Sequence, residues 1–240
     1  MPRKEKFIPG EYYHIYSRTI LNIPEFKSND SATKLAQTFL LANSTNSSQA
    51  FDYLRNNRNT SLERALEISK SGEKLVEILC YSIMPNHYHL LIKEAKEKGI
   101  TDFIRKCNIS IVKYINIKQK RLGPLFESRF KSKHIDSNDY LLHLSVYIHL
   151  NPLDFLSGKD WRENKIQNWE QEKLKILNYP WSSVKYFISS TYDVDEEIYS
   201  NIISGTEIIT DQFNSKDDYE RFLREWSVES LNEINDLTLE

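Results

Sequence analysis

The chain has 240 residues, of which 40% are hydrophobic and 12% aromatic, with a formal net charge of −2 at pH 7. This is enough for one folded domain of ordinary size with some chain to spare. No stretch approaches the ~20 consecutive apolar residues of a membrane helix, and the first residues lack the apolar core of a signal peptide. We therefore expect a cytoplasmic protein with no membrane partner. Cys80 and Cys107 are too far apart for a C-x-x-C site and are predicted to be core residues.

Charge is distributed unevenly along the chain. Residues 191–240 contain 14 acidic and three basic side chains, a net charge of −11, which leaves +9 for residues 1–190. A basic body with an acidic tail is typical of proteins that bind polyanions. We therefore predict a domain at 1–190 and an acidic, helical C-terminal extension at 191–240.

The first predicted elements are a strand at 11–18, rich in aromatic residues, and a helix that begins at Asn29 or Asp30. The polar composition of residues 44–72 indicates an insertion, either a loop or a weak helix outside the core. Two apolar strands are predicted next, at 74–84 and 87–92, separated by a two-residue turn signal.

The second half of the domain continues with a long amphipathic helix at 102–121, capped by Thr101. A strand at 125–135 and a helix that ends before Pro152 follow, and then a short helix within 178–187. The order strand, helix, strand, strand, helix, strand, helix predicts an α+β fold in which an antiparallel sheet is covered on one face by helices.

Two histidines, His87 and His89, stand one residue apart inside the third predicted strand. Side chains at i and i+2 of a strand point to the same face, about 6–7 Å apart, so the two imidazoles project together. Such a pair is half of a metal site, although the same pattern is also common in ordinary packing.

Further donors are found on the helix that ends before residue 152. Residues four apart share one face of a helix, so His143, Tyr147 and Asn151 form a polar stripe. If this stripe faces His87 and His89, Asn151 adds an oxygen ligand and Tyr147 lies one turn away.

Tyr147 is a candidate nucleophile in this arrangement. A phenol with an ordinary pKa near ~10 needs a base, a cation or favourable geometry to attack at neutral pH. A divalent ion can act as a Lewis acid on a phosphodiester, so attack by Tyr147 would leave a covalent phosphotyrosine. The alternative is that Tyr147 packs in the core and Asn151 only ends a helix, and spacing does not decide between the two.

Several motifs give the chain a family resemblance. They are, in order, YHIYSR at 13–18, MPNHYHLLI at 84–92, GPLFESRFKS at 123–132, YIHLNPL at 147–153 and YPWSS at 179–183. In combination they resemble the REP-associated tyrosine transposases, a branch of the single-tyrosine HUH transposases of the IS200-like superfamily. The similarity extends over about residues 5–190.

This resemblance implies a ferredoxin-like HUH nuclease core that cuts and joins single-stranded DNA with Mg²⁺ or Mn²⁺. It implies that His87 and His89 are metal ligands, that Asn151 is the third ligand, and that Tyr147 is the nucleophile. Tyr114 is the rival nucleophile, but it has no carboxamide four residues later.

The resemblance also implies a DNA hairpin as partner, and a monomer is expected. The insertion at about 44–72 and the acidic extension depart from the family pattern, which leaves regulation and oligomeric state open.

Positive charge is concentrated between residues 105 and 133. Such side chains give salt-dependent affinity for phosphates, and aromatic rings can stack on unpaired bases; the alternative is a solvated helix face with phenylalanines in the core. The candidates for DNA binding are Arg18, Arg105, Lys106, Lys113, Lys118, Lys120, Arg121, Phe126, Arg129, Phe130, Lys131 and Lys133.

Three functions are compatible with these residues. The first is a metal-dependent single-stranded DNA endonuclease and strand transferase that acts near hairpins through a Tyr147 phosphotyrosine. The second is a domesticated hairpin-binding protein without turnover. The third is a metal-dependent hydrolase in which water replaces Tyr147 as the nucleophile.

Overall fold

Four antiparallel strands form the centre of the fold, in the order β2-β3-β1-β4. The computed structural model describes residues 6–57, 61–158, 161, 166–191 and 198–229. The strands are β1 (Tyr12–Arg18), β2 (Val76–Ile83), β3 (His87–Glu94) and β4 (Lys131–Ile135). Their aromatic and β-branched residues favour an extended chain, and the central pair β1–β3 aligns Tyr16 with His89 and Arg18 with His87.

The helices of the first half are α1 (Asn29–Ala42), α2 (Ser47–Asn56), α3 (Leu62–Lys70) and α4 (Gly99–Lys118). Those of the second half are α5 (Asn138–Leu150), α6 (Leu153–Leu156), α7 (Trp169–Leu177), α8 (Val184–Ile188), α9 (Glu207–Thr210) and α10 (Lys216–Glu229). With α1 between β1 and β2 and α4 between β3 and β4, the strand order confirms the predicted ferredoxin-like α+β fold.

Helices cover both faces of the sheet, whereas only one covered face was expected. Tyr88, Leu90 and Ile92 of β3 pack on one side with α1 and α4, which we call the α1/α4 face. The alternate residue Leu91 packs on the other side with α5, which we call the α5 face. Because β3 is apolar on both sides, each side needs a cover.

Serine caps set several helix starts. Ser28 accepts a hydrogen bond from the Ser31 N–H and caps α1, and Ser137 caps α5 by accepting from the Tyr140 N–H. Helix α4 begins at Gly99, ahead of the predicted cap Thr101. The predicted strand at 125–135 is shorter, because only Lys131–Ile135 pairs with β1.

The polar stretch at 44–72 forms α2 and α3 and contributes to the core. Ala50, Ala65 and Leu66 are buried in the cluster that also holds α1, because both short helices are amphipathic. The expectation of a segment outside the core was therefore wrong.

The described part of the C-terminal region packs against α5. Tyr219, Leu223 and Trp226 of α10 are buried in the same cluster as Leu144 and Ile148. The domain boundary at 190 stays a prediction, and residues 230–240 lie outside the described residues. In the part of the chain that the structure covers, no helix is long and apolar enough to span a membrane.

Candidate active site

Tyr147 lies directly against the histidine pair on the α5 face. Its ring is 5.4 Å from the His89 ring, centroid to centroid, at an interplanar angle of 86°, and the His87 and His89 rings are 4.9 Å apart. Asn151 follows one turn later, where its backbone N–H bonds to the Tyr147 carbonyl at 2.9 Å. The structure therefore brings Tyr147 to the two histidines and places Asn151 on the next turn of the chain.

The third member of the predicted helical stripe points elsewhere. The indole N–H of Trp226 in α10 donates to His143 Nδ1 at 2.9 Å, and the His143 ring lies beside Phe222. His143 is thus a contact between α5 and α10, because it sits near the start of α5 where α10 covers it.

Each histidine of the pair has its Nδ1 atom in a hydrogen bond within the protein. His87 Nδ1 is 2.7 Å from the side-chain oxygen of Asn86, and His89 Nδ1 is 2.9 Å from His14 Nε2. The Nε2 atoms of both residues are buried. A histidine whose Nδ1 is held in this way presents Nε2 to a metal ion.

The donor set fits a divalent ion that also takes ligands from its substrate. Two imidazole nitrogens and one amide oxygen are compatible with Mn²⁺ or Mg²⁺ when phosphate oxygens or waters complete the shell. Both polar side-chain atoms of Asn151 are buried and make no hydrogen bond to the described residues, which is costly unless a ligand satisfies them. Within the described ranges, no three His, Cys, Asp or Glu residues gather to hold a metal.

The site is closed in this arrangement. Tyr147, His89 and Asn151 are each 1% exposed, and His87 is 8% exposed. A phosphodiester can reach the phenol only after neighbouring elements move apart.

A second buried polar network lies behind Tyr147 on the same helix. His149 Nδ1 is 2.7 Å from the Tyr219 hydroxyl and His149 Nε2 is 2.9 Å from the Ser183 hydroxyl. Burial lowers the pKa of His149 to about 3, so the imidazole is neutral. This network ties α5 to α10 and to the YPWSS motif, and its role is structural.

His14 was not among the candidate site residues, although it lies within the cluster. It is buried on β1, stacks on the His89 ring at 5.1 Å and 22°, and hydrogen-bonds to the same residue. The alternation of β1 places it on one face with Tyr12 and Tyr16, but only the pairing of β1 with β3 shows that this face meets His89.

The predicted DNA-binding residues are divided between the two faces. On the α5 face, Lys131 Nζ lies 5.5 Å from the Tyr16 ring centre and Lys133 Nζ lies 4.8 Å from the Tyr140 ring centre. Arg18 ends the same face of β1, opposite His87 in the register. These three cations therefore surround the candidate site.

The cations of α4 and of the residues just after it lie on the other side of the sheet, and several of them already have partners. Lys118 pairs with Asp30 at 2.8 Å and Arg121 with Glu25 at 3.0 Å, while Arg105 pairs with Asp102 at 3.3 Å and Lys106 donates to the Ser44 carbonyl. Lys113, Lys120 and Arg129 are exposed. This surface is remote from Tyr147 because the sheet separates them.

The two predicted stacking residues differ in accessibility. Phe126 is only 7% exposed and packs between Phe26 and Tyr88, with ring centroids 6.3 and 6.0 Å away. Phe126 is therefore largely buried in this structure, although it also lines the cavity beside α4, which weakens it as a stacking residue. Phe130 is half-buried and, with Arg129, lines a cavity of about 640 Å³ between α4 and residues 124–130.

Tyr114 lies on α4, on the α1/α4 face. It is partly buried against the core there, with Lys118 Nζ 5.7 Å from its ring centre. The sheet separates it from His87 and His89, which weakens it as a rival nucleophile.

Residues 51–151 match the family model described as "Transposase IS200 like". Residues 51–151 are therefore similar to the IS200-like transposases. The matched range includes His87, His89, Tyr147 and Asn151. The match confirms the resemblance predicted from the motifs.

Solved structures and curated proteins give two further comparisons. A solved structure described as "Structure of the REP associates tyrosine transposase bound to a REP hairpin" is similar to this chain at 14% identity, with a TM-score of 0.44, over 81% of this chain and 90% of that one. No curated protein matches the chain.

Proposed function

We propose that the protein is a metal-dependent HUH-type enzyme that nicks and joins single-stranded DNA near hairpins, with Tyr147 as its nucleophile. The observation that carries the proposal is the packing of the Tyr147 ring on His89 at 5.4 Å, with Asn151 one turn later on the same chain. A phenol, two imidazoles and a carboxamide buried together are more than packing requires, since buried polar groups cost stability unless they are satisfied.

In the proposed reaction the Tyr147 oxygen forms a bond to phosphorus and one ester P–O bond of the DNA breaks. The phenol releases its proton and the leaving DNA oxygen takes one up, so that a phosphotyrosine and a free DNA hydroxyl result. The ester bond energy is retained in the phosphotyrosine, so attack by a DNA hydroxyl reverses the step and joins strands.

His87, His89 and Asn151 are the residues that would hold the divalent ion, Mg²⁺ or Mn²⁺. When bound there, the ion supplies a Lewis acid for the phosphoryl oxygens. His87 is the most exposed of the three, at 8%, and therefore marks the side from which DNA enters.

Arg18, Lys131 and Lys133 are proposed to hold the DNA backbone beside this entrance. Arg18 lies opposite His87, and Lys131 covers Tyr16, which itself stacks on His89 at 5.8 Å. Contacts of this kind position a strand without reading its sequence.

The cavity beside α4 is proposed as a second contact for unpaired DNA. Phe130 gives an aromatic wall, and Arg105 and Arg129 lie at the rim. This combination is typical of surfaces on which bases of single strands stack. The backbone bond from the Glu127 N–H to the Arg18 carbonyl, at 3.0 Å, joins the cavity wall to the strand end beside the candidate site.

The test uses labelled single-stranded DNA from the hairpin-bearing flanks of the gene, incubated with Mn²⁺ or Mg²⁺ and resolved on a denaturing gel. Wild type and Tyr114→Phe are expected to give a covalent protein–DNA band that is absent with Tyr147→Phe or chelator. Cleavage that survives in Tyr147→Phe would instead support a hydrolase that uses water.

One observation favours a second candidate function, a hairpin-binding protein without turnover. Tyr147 is 1% exposed, so the described arrangement binds no phosphate at the phenol. Tight binding of the hairpin DNA with no adduct in any lane would support this alternative.

We also propose that the protein acts as a monomer. Light scattering of the protein with and without DNA measures its molecular mass and tests this proposal.

A further inference from the structure

One polar contact of the candidate metal pair comes from the neighbouring strand β1. His14 is buried on β1, and its Nε2 atom is 2.9 Å from His89 Nδ1. The two rings are nearly parallel, 5.1 Å apart at 22°, and Tyr16, which lies directly opposite His89 in the register, stacks on it at 5.8 Å. The His89 ring is therefore held both by a hydrogen bond and by aromatic packing.

The direction of this hydrogen bond depends on which nitrogen of His89 carries the proton. A neutral imidazole has one N–H and one lone pair, and binding of an ion through Nε2 requires the proton on Nδ1. His89 Nδ1–H then donates to His14 Nε2, and His14 carries its own proton on Nδ1.

The same pattern is present at the other histidine. His87 Nδ1 lies 2.7 Å from the Asn86 side-chain oxygen, which can only accept, so that the His87 proton also lies on Nδ1. Both histidines of the pair are thus oriented alike, one by an amide from the preceding turn and one by a histidine from the neighbouring strand.

We infer that His14 is a positioning residue of the metal site: it accepts the Nδ1–H of His89 and holds Nε2 of that residue toward the ion. The inference rests on the proposed function, because it requires an ion at His87 and His89. It assigns a role to the N-terminal strand, which lies outside the 51–151 range of the family match.

The test measures Mn²⁺ affinity of the full chain without DNA, by the electron paramagnetic resonance signal of free Mn²⁺. His14→Phe keeps an aromatic ring but removes the acceptor, and it is expected to weaken Mn²⁺ binding about 10- to 100-fold. His14→Gln retains an amide oxygen and is expected to recover part of the loss. His134→Phe is the matched control, because His134 is a partly exposed β4 histidine that pairs with Glu11 and is expected to leave the affinity unchanged.

Different failures have different meanings. Binding by His14→Phe within about twofold of wild type would overturn the role of His14 and leave the proposed metal site standing. Absence of Mn²⁺ binding in wild type would overturn the metal site itself, and the role of His14 with it.

A second measurement uses the wild-type protein, so its result does not depend on whether a variant folds. Nitrogen-15 shifts of the wild-type imidazoles report the tautomer of His89. The Nδ1–H tautomer is expected, and an Nε2–H tautomer in the metal-free protein would overturn the inference.

Discussion

The two faces of the sheet bury different kinds of side chain. On the α1/α4 face, Phe39, Tyr88 and Phe103 form an aromatic core. On the α5 face, His14 of β1 and His89 of β3 pack against Tyr147 of α5. Both faces provide folding free energy through apolar burial, at roughly 25 cal/mol per Å², since Leu91, Leu144 and Ile148 belong to a buried cluster on the α5 face. The α5 face also contains polar groups whose burial reduces that free energy unless a partner or ligand satisfies them.

Strand β3 contains this contrast within a few residues. Tyr88 and Leu90 point to the α1/α4 face, and His87 and His89 point to the α5 face. Because neighbouring residues of a strand face opposite ways, stability and chemistry can be placed on one rigid strand without competing for the same positions.

The largest expected effect is on the apolar face. Phe39→Ala removes a fully buried ring and is expected to lower the free energy of unfolding by about 3–5 kcal/mol in urea titrations. Ile109→Ala, at a site 58% exposed on α4, is the control and should change it by less than about 0.5 kcal/mol. Equal losses in the two variants would remove the distinction between core and surface on this side.

The α5 face is expected to gain stability from metal, in contrast to the apolar face. Mn²⁺ at 100 times its Kd should raise the free energy of unfolding of wild type by about 2.7 kcal/mol, since it binds only the folded state. His87→Ala should lose this increment, whereas Phe39→Ala, although destabilised, should retain it. Unchanged thermal unfolding of wild type on addition of Mn²⁺ would contradict a metal-binding α5 face.

A third effect concerns the hydroxyl of Tyr219. It hydrogen-bonds to His149 at 2.7 Å and to Ser145 at 3.0 Å, all three being buried. Tyr219→Phe leaves the buried His149 Nδ1 atom without this partner, while the Ser145 hydroxyl keeps its bond to the Leu142 carbonyl, and the change is expected to cost about 1–3 kcal/mol in urea unfolding. Tyr114→Phe is the matched change on the other face and is expected to be nearly neutral. An unchanged free energy of unfolding in Tyr219→Phe would show that the hydrogen bonds of Tyr219 to His149 and Ser145 contribute little to stability.

The smallest expected effect is on the affinity for single-stranded DNA, and it distinguishes the basic side chains of the two faces. Lys131→Gln is expected to weaken binding of single-stranded DNA and to reduce the slope of log affinity against log salt by about 1. Lys118→Gln should have less effect, because Lys118 is paired with Asp30 on the opposite side of the sheet. Fluorescence anisotropy at several salt concentrations makes the comparison. A larger loss of DNA affinity in Lys118→Gln than in Lys131→Gln would instead indicate that the DNA binds along α4.

Much of the candidate site could be predicted from local patterns and motif order. The i, i+2 spacing put His87 and His89 on one face, and the i, i+4 spacing put Tyr147 and Asn151 on one helix face. His14 could not be found in this way, because its partner is 75 residues away and only strand pairing brings them together.

The errors have the same origin. Phe126 was a stacking candidate because it lies among basic residues, but the bridge between Thr19 and Phe126 draws its segment against the core. The polar stretch at 44–72 was expected outside the core, but its few apolar residues lie on single helix faces that α1 can cover. Composition averages over such faces and does not reveal them.

The sequence by itself determined most strands and helices of the sheet domain, the side of a strand or helix on which a residue lies, and the motifs that indicate a transposase. Only the tertiary structure decided that helices cover both faces, that α5 turns Tyr147 toward His89, and that His14 completes the contact. The physical reason is that periodicity is a property of a few adjacent residues, whereas strand register and helix orientation depend on contacts between segments far apart in the chain.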